Sequence, residues 1–196
     1  MNYFEVFGLE RKLGIDVARL QAQFYELSRR WHPDYQQSAP AAEQAQALEQ
    51  SALVNAAYRA LRDPIARIEY LVRLEEGRET KEGAAVTPQA PPELLAEVFE
   101  IQEALEEAKT GELGAEGRAR LGAERDGLVG RRRDEEARLV GPLASEWDRA
   151  SVGDRGRVLD ALKRGLATRA YLRTVIDDLN AVLEERREDD VAHHRH

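Results

Sequence analysis

Apolar residues recur along this chain at steps of three and four, the spacing that places side chains on one face of an α-helix. Two such series lie in the first third of the chain: Leu20, Phe24, Leu27 and Trp31, followed by Ala47, Ser51, Val54, Tyr58 and Leu61. A polar segment separates them, so the two predicted helices can pack antiparallel as a helical hairpin. Because no alternating β-branched run of useful length occurs, the sequence predicts an all-α protein.

Capping residues mark where the N-terminal helices should begin. Asn2 and Glu5 have the spacing of a capping box before a short aromatic helix. Asp16 is suited to the N-cap position of the helix that carries the first apolar series. Asp63 followed by Pro64 predicts a further helix start, since proline is favoured in a first turn. These helices should end near residues 8, 31 and 74.

The connection between the two hairpin helices contains the tripeptide His32-Pro33-Asp34. Pro33 has no backbone N–H and disfavours the α conformation at His32, so the first hairpin helix should end there. On the resulting exposed turn, Asp34 can accept a bidentate bond from a partner's arginine, and His32 can donate, accept or pack. As a bare string the tripeptide is weak evidence, because proline and aspartate suit many turns. Its position between two amphipathic helices favours a binding function.

Three arginines lie on the exposed face of the helix before this turn: Arg19, Arg29 and Arg30. They fit either a solvated face, with cations favoured near a helix C-terminus, or a docking surface for an acidic groove. Proximity to the tripeptide favours docking. An enzyme that uses His32 and Asp34 as an acid–base pair is remote, because no nucleophile, glycine cradle or metal set is expected beside a protruding turn.

The composition changes between residues 77 and 92, where glycine, threonine, proline and alanine predict a linker. Three helices are predicted beyond it: from about Glu93, over about Arg118–Trp147, and over about Arg155–Glu188. Glycines in the second of these each cost about 1 kcal/mol relative to alanine, and Pro142 predicts a kink. We therefore predict a hairpin domain over 1–76 and a three-helix bundle over 93–190.

The last residues, 191–196, are predicted to form a disordered His-rich tail. Clustered histidines can bind zinc or nickel, but nothing nearby would fix their geometry, so no metal is expected. The absence of cysteine excludes disulfides and thiolate ligation of an iron-sulfur cluster, and no cofactor is expected.

The net charge of -8 disfavours binding to nucleic acid or to an anionic membrane surface. The chain opens directly into a predicted helix, and no apolar run approaches the length needed to cross a bilayer. We therefore expect a cytoplasmic protein whose partners are other proteins.

Several short motifs resemble those of one family, the J-domain co-chaperones of the HscB type. They are Tyr3-Phe4, Phe7-Gly8-Leu9, Trp31 before His-Pro-Asp, and Leu61-Arg62-Asp63-Pro64 leading into Arg67-Ile68-Glu69-Tyr70-Leu71. The resemblance is strong over the J domain, residues 1–76, and looser beyond. It implies that the tripeptide and the α-helical arginines before it stimulate the ATPase of a DnaK-type (HscA-like) chaperone.

The same resemblance implies that the C-terminal domain delivers the scaffold protein (IscU-like) on which iron-sulfur clusters are built. The implied client-binding residues are Leu95, Ala96, Phe99, Glu100, Glu103 and Tyr171. Ala96 stands where the family often has a larger apolar residue. Leu95, Phe99 and Tyr171 fit a buried core equally well. An alternative within the same class is a general J protein that delivers unfolded clients.

Overall fold

The computed structural model describes residues 1–36, 40–77, 99, 101–103, 106 and 114–193. Every regular element in these ranges is helical, which confirms the all-α prediction. The helices are α1 Tyr3–Val6, α2 Val17–Arg30, α3 Ala41–Arg62, α4 Pro64–Glu75, α5 Ala115–Arg138, α6 Ala144–Arg149 and α7 Arg155–His193. A 3₁₀ turn covers Pro33–Gln36, and a π-helical segment covers Leu139–Leu143.

The chain divides into two compact units. The first comprises Met1–Ala84 and Leu139–Leu162, and the second comprises Ala85–Arg138 and Lys163–His196. The apolar pattern predicts one C-terminal domain over 93–190, whereas the structure places Leu139–Leu162 with the N-terminal unit. Periodicity shows that a helix face is buried but not which neighbour covers it, so the pattern did not reveal this grouping.

The capping predictions at Asn2, Asp16 and Asp63 are confirmed. The Glu5 N–H donates to Asn2 Oδ1 at 3.0 Å, and the Asn2 N–H donates to the Glu5 carboxylate at 3.0 Å. The Asp16 carboxylate accepts from the backbone N–H three residues on at 3.0 Å, and the Asp63 carboxylate from that of Ala66 at 2.8 Å. These bonds satisfy backbone donors that a helix leaves free in its first turn.

Helices α2 and α3 pack together as the predicted hairpin. Leu20 of α2 and Val54 of α3 are buried. The ring of Phe24 stacks on that of Tyr58, with centroids 4.0 Å apart and planes at 13°. Trp31, the last member of the first apolar series, is only half-buried, because it lies at the C-cap where α2 leaves the core.

Tyr70 ties the short helix α1 to α4. The backbone N–H of Tyr3 donates to the Tyr70 hydroxyl at 2.7 Å, and the two rings stack at 4.4 Å. Phe4 is fully buried and its ring lies 5.8 Å from that of Tyr70. α1 therefore covers one end of the hairpin core.

The segment Leu139–Leu162 reaches the N-terminal residues of its unit through Asp148. The backbone N–H groups of Leu13 and Gly14 both donate to the Asp148 carboxylate, each at 2.7 Å. Leu139, Leu143 and Trp147 in this segment are buried. We call this pair of bonds the Asp148 clamp.

The long helix predicted over about 118–147 is interrupted. It begins at Ala115, and the π-helical segment that follows Arg138 contains Gly141 and Pro142. Pro142 has no N–H to donate to the preceding turn, and a π turn accommodates the break without ending the helical path. The helix resumes as α6.

The second unit is built on one apolar cluster. Its buried members are Ile101, Leu121, Leu128, Leu172, Val175, Ile176, Leu179 and Val182. Arg169 donates to Glu136 at 2.8 Å across this unit, while Arg138 pairs with Glu135 at 2.6 Å along α5. Glu135 and Glu136, adjacent acidic residues of α5, therefore both lie in ion pairs.

Three other predictions concern the chain between and beyond the helices. The linker over 77–92 and the helix start at about Glu93 lie outside the described residues, apart from Gly77. α7 continues to His193, so the tail predicted to be disordered from 191 is helical as far as that residue. Residues 194–196 lie outside the described ranges.

Candidate functional site

The His-Pro-Asp tripeptide lies on a turn that the end of α2 and a 3₁₀ turn hold together. The Trp31 N–H donates to the Leu27 carbonyl at 3.0 Å, which closes the last turn of α2. The next turn begins at Pro33, and the Tyr35 N–H donates to the His32 carbonyl at 3.1 Å. The helix ends beside proline as the sequence predicts, because the residue before proline avoids the α conformation.

His32 and Asp34 are arranged side by side and face solvent. The Asp34 backbone N–H donates to His32 Nδ1 at 3.2 Å, and Nδ1 lies 3.6 Å from Asp34 Oδ2. The two side chains are 51% and 71% exposed. The turn therefore offers a carboxylate to a partner, with an imidazole fixed next to it.

The three arginines predicted to form a docking surface are exposed on α2. Arg29 and Arg30 occupy its last turn, and Arg19 its first. The Arg30 guanidinium lies 5.2 Å from the centre of the Trp31 ring, a cation–π distance that restrains this side chain. The site thus combines cations on a helix with one anion on the turn that follows.

Tyr35 is a residue of this turn that the sequence analysis did not single out. Its side chain is 69% exposed, and its ring meets that of His32 edge-on, with centroids 5.8 Å apart. Its position directly after the tripeptide indicates that its side chain is exposed, because residues on surface turns are rarely buried in the core.

Within the described residues, His32 and Asp34 lie on an exposed turn. A cavity of about 330 Å³ in the same unit is lined elsewhere, by Glu146, Arg149, Ala150, Asp154, Arg157 and Val158. Among the described residues, no group of three or more histidine, cysteine or acidic side chains could hold a metal ion. Nor does any helix in the described ranges have the length and apolar character needed to cross a membrane.

The predicted client-binding residues are only partly described. Phe99 is 70% exposed, so it lies outside the apolar core, and Glu103 is exposed as well. Tyr171 is half-buried and packs against that core, and this burial, with the nearby Asp178, raises the pKa of its phenol. Leu95, Ala96 and Glu100 lie outside the described residues.

Two residues of the Asp148 clamp region were not identified from the sequence. Asp148 lies 135 positions from Leu13 along the chain, so no local spacing signals their contact. Arg67 of α4 is buried, and its Nη1 donates to the Leu61 carbonyl. Burial lowers the Arg67 pKa from its ordinary value, while Asp63 and Asp148 oppose that change.

Comparison with known proteins assigns the family of this chain. Residues 2–70 match the family model described as the DnaJ domain, and this part of the chain is therefore a J domain. A co-chaperone protein HscB homolog of Vibrio cholerae serotype O1 is 36% identical over 148 residues, which cover 75% of this chain and 83% of that protein. The chain belongs to the HscB family of J-domain co-chaperones.

Solved structures agree with this assignment. Chaperone HscB from Vibrio cholerae matches with a TM-score of 0.58 and 27% identity, over 97% of this chain and 99% of that chain. Human co-chaperone protein HscB matches with a TM-score of 0.53 and 20% identity, over 90% of this chain and 83% of that chain. The human protein shows likeness of fold alone.

Proposed function

We propose that this protein stimulates the ATPase of a DnaK-type (HscA-like) chaperone and delivers to it the scaffold protein (IscU-like) on which iron-sulfur clusters are built. Membership of the HscB family supports this role, together with the motifs that resemble that family. On the same grounds we propose the cytoplasm as its location.

The exposed His-Pro-Asp turn is the observation that carries the proposal. A carboxylate that is 71% exposed and sits beyond a helix end can accept a charged, bidentate bond from a partner's arginine. The arginines of α2 would meet acidic groups on the same partner. One anion beside several cations fixes the orientation in which two charged surfaces can meet. No proton transfer by His32 is required for this action.

The test is the substitution Asp34→Asn, which keeps the shape of the side chain and removes its charge. Loss of one partner of a charged pair in an interface costs about 2–5 kcal/mol, so stimulation of the chaperone's ATPase should fall at least tenfold. Thermal unfolding should change little, because Asp34 is exposed.

Asp160→Asn is the matched control, since it removes an exposed carboxylate from α7 within the same unit. It should stimulate the ATPase like the wild-type chain. Equal stimulation by both variants would contradict a role for the Asp34 charge, and joint loss of stimulation and folding would make Asp34 a structural residue.

Exposure of Phe99 supports the second part of the proposal. A ring left 70% in solvent, near the exposed carboxylate of Glu103, can serve as an aromatic anchor for a client protein. Phe99→Ala should weaken binding of the scaffold roughly tenfold while leaving ATPase stimulation without client unchanged. Val129→Ala is the control, because Val129 is a less exposed apolar residue of the same unit.

Unfolded clients are the alternative cargo. Binding of the folded scaffold and of a denatured polypeptide should be compared by titration with the same chain. Preference for the folded scaffold, lost in Phe99→Ala, supports cluster assembly. Equal affinity for denatured chains would favour a general J protein.

A further inference from the structure

Tyr35 follows the tripeptide directly and has a large apolar ring in solvent. The Tyr35 side chain is 69% exposed. By contrast, the ring of Phe24 in the preceding helix stacks on the ring of Tyr58. Tyrosine is enriched among the residues that contribute most to protein–protein binding, because it joins a large apolar surface to a polar tip.

The Tyr35 side chain starts from a fixed backbone. Its N–H bonds to the His32 carbonyl at 3.1 Å within the 3₁₀ turn, and its ring rests edge-on against the imidazole, at an interplanar angle of 66°. A side chain with two rotatable bonds, already restrained on one side, loses little conformational entropy when a partner covers it.

Tyr35 is also placed where a partner of Asp34 must arrive. Consecutive Cα atoms lie about 3.8 Å apart, so a chaperone surface that bonds to the Asp34 carboxylate comes within reach of the neighbouring ring. The cation that pairs with Asp34 can lie against the face of that ring, where a cation is attracted by the π electrons. Arginines 29 and 30, exposed at the end of α2, flank the same region.

We infer that Tyr35 is a direct contact to the DnaK-type chaperone, with its ring acting as an aromatic anchor beside the charged pair made by Asp34. This inference rests on the proposed function and adds a residue to its binding surface. Asp34 supplies the charge of this contact, and Tyr35 adds apolar area that increases how tightly the chaperone is held.

The experiment is a titration of ATPase stimulation with the full-length chain and a purified DnaK-type chaperone. Tyr35→Ala should raise the half-saturating concentration roughly tenfold and leave the maximal stimulated rate unchanged. Tyr35→Phe, which keeps the ring, should stay within about twofold of the wild-type chain, since the anchor is the ring and not the hydroxyl. Val152→Ala, at an exposed apolar residue in the turn before α7, is the control and should behave like the wild-type chain.

Three results would overturn the role of the Tyr35 ring as an aromatic anchor. One is a half-saturating concentration for Tyr35→Ala equal to that of the wild-type chain. Another is a lower maximal rate with unchanged half-saturation, which would show that Tyr35 acts by ordering the His-Pro-Asp turn. The third is an equal loss in Tyr35→Phe and Tyr35→Ala, which would assign the effect to the hydroxyl. A wild-type chain without any stimulation would overturn the proposed function as well.

Discussion

Gly14 meets the carboxylate of Asp148, and we predict that Gly14→Ala destabilises the first unit. A Cβ at this position would lie 2.9 Å from Asp148 Oδ2, closer than nonbonded carbon and oxygen atoms allow. The backbone torsion φ of Gly14 is not positive, so alanine itself fits the backbone. The carboxylate must therefore move away, and its bonds from the N–H groups of Leu13 and Gly14, both 2.7 Å long, must lengthen.

The expected loss comes from those bonds. A hydrogen bond to a charged group contributes about 1.5–3 kcal/mol, and the Gly14 bond is exposed, so water can replace part of it. The loss of about one such bond lowers the free energy of unfolding by more than alanine raises it. Alanine raises it by about 0.4–1 kcal/mol, because it restricts the unfolded chain. The net destabilisation should be about 1–2 kcal/mol, which lowers Tm by roughly 2–8 °C for a chain of this size.

Thermal unfolding followed by far-UV circular dichroism measures this change. Asp148→Ala should cost more, about 2–3 kcal/mol, because it removes both bonds and an anion near the buried Arg67. In the double variant, Gly14→Ala should no longer destabilise and should instead add about 0.4–1 kcal/mol of stability, since no carboxylate remains to be displaced.

Gly127→Ala in α5 is the matched control. Nothing lies within 4 Å of a Cβ built there, so alanine should stabilise the helix by about 1 kcal/mol. A rise in Tm for Gly14→Ala, like that expected for Gly127→Ala, would refute the role of the clamp. So would full additivity of Gly14→Ala and Asp148→Ala.

Three further predictions concern other contacts. Tyr70→Phe removes the acceptor of the Tyr3 N–H but keeps the ring stack, and should cost about 1 kcal/mol in chemical denaturation. Arg67→Ala should destabilise more than Arg67→Met, measured the same way, because methionine fills the buried space that alanine leaves empty. Because the pKa of Tyr171 is raised in the folded state, its contribution to folding stability should decrease as pH rises above about 10, and Tyr171→Phe should make the fall in stability over this range smaller, measured by chemical denaturation.

Features set by neighbouring residues were predictable from the sequence. The capping box at Asn2 and the N-caps at Asp16 and Asp63 depend on side chains that reach backbone groups three residues away. The exposed tripeptide follows in the same way, since Pro33 ends the helix before it whatever the rest of the chain does. Local sequence is therefore sufficient to predict the exposed turn.

Features set by distant residues were not predictable. No residue near Asp148 in the sequence indicates that its carboxylate accepts bonds from two N–H groups 134 and 135 positions earlier. An acidic residue near a helix end is usually exposed to solvent. The apolar pattern of Leu139, Leu143 and Trp147 correctly marked a buried face, but it fits a three-helix bundle as well as the N-terminal unit. The exposure of Phe99 was likewise not predictable from the sequence, because cores and binding surfaces both contain apolar and aromatic residues.

We predict that chaperone binding and stability depend on different residues within the first unit. His32, Asp34 and Tyr35 are exposed and contribute little buried area, so substitutions there should change chaperone binding without changing Tm. Gly14 and Asp148 join segments far apart in sequence and lie outside the tripeptide turn, so their substitution should lower Tm. Below the unfolding temperature, Gly14→Ala should still stimulate the chaperone's ATPase. Loss of stimulation in a folded Gly14→Ala chain would show instead that the clamp also sets the geometry of the turn.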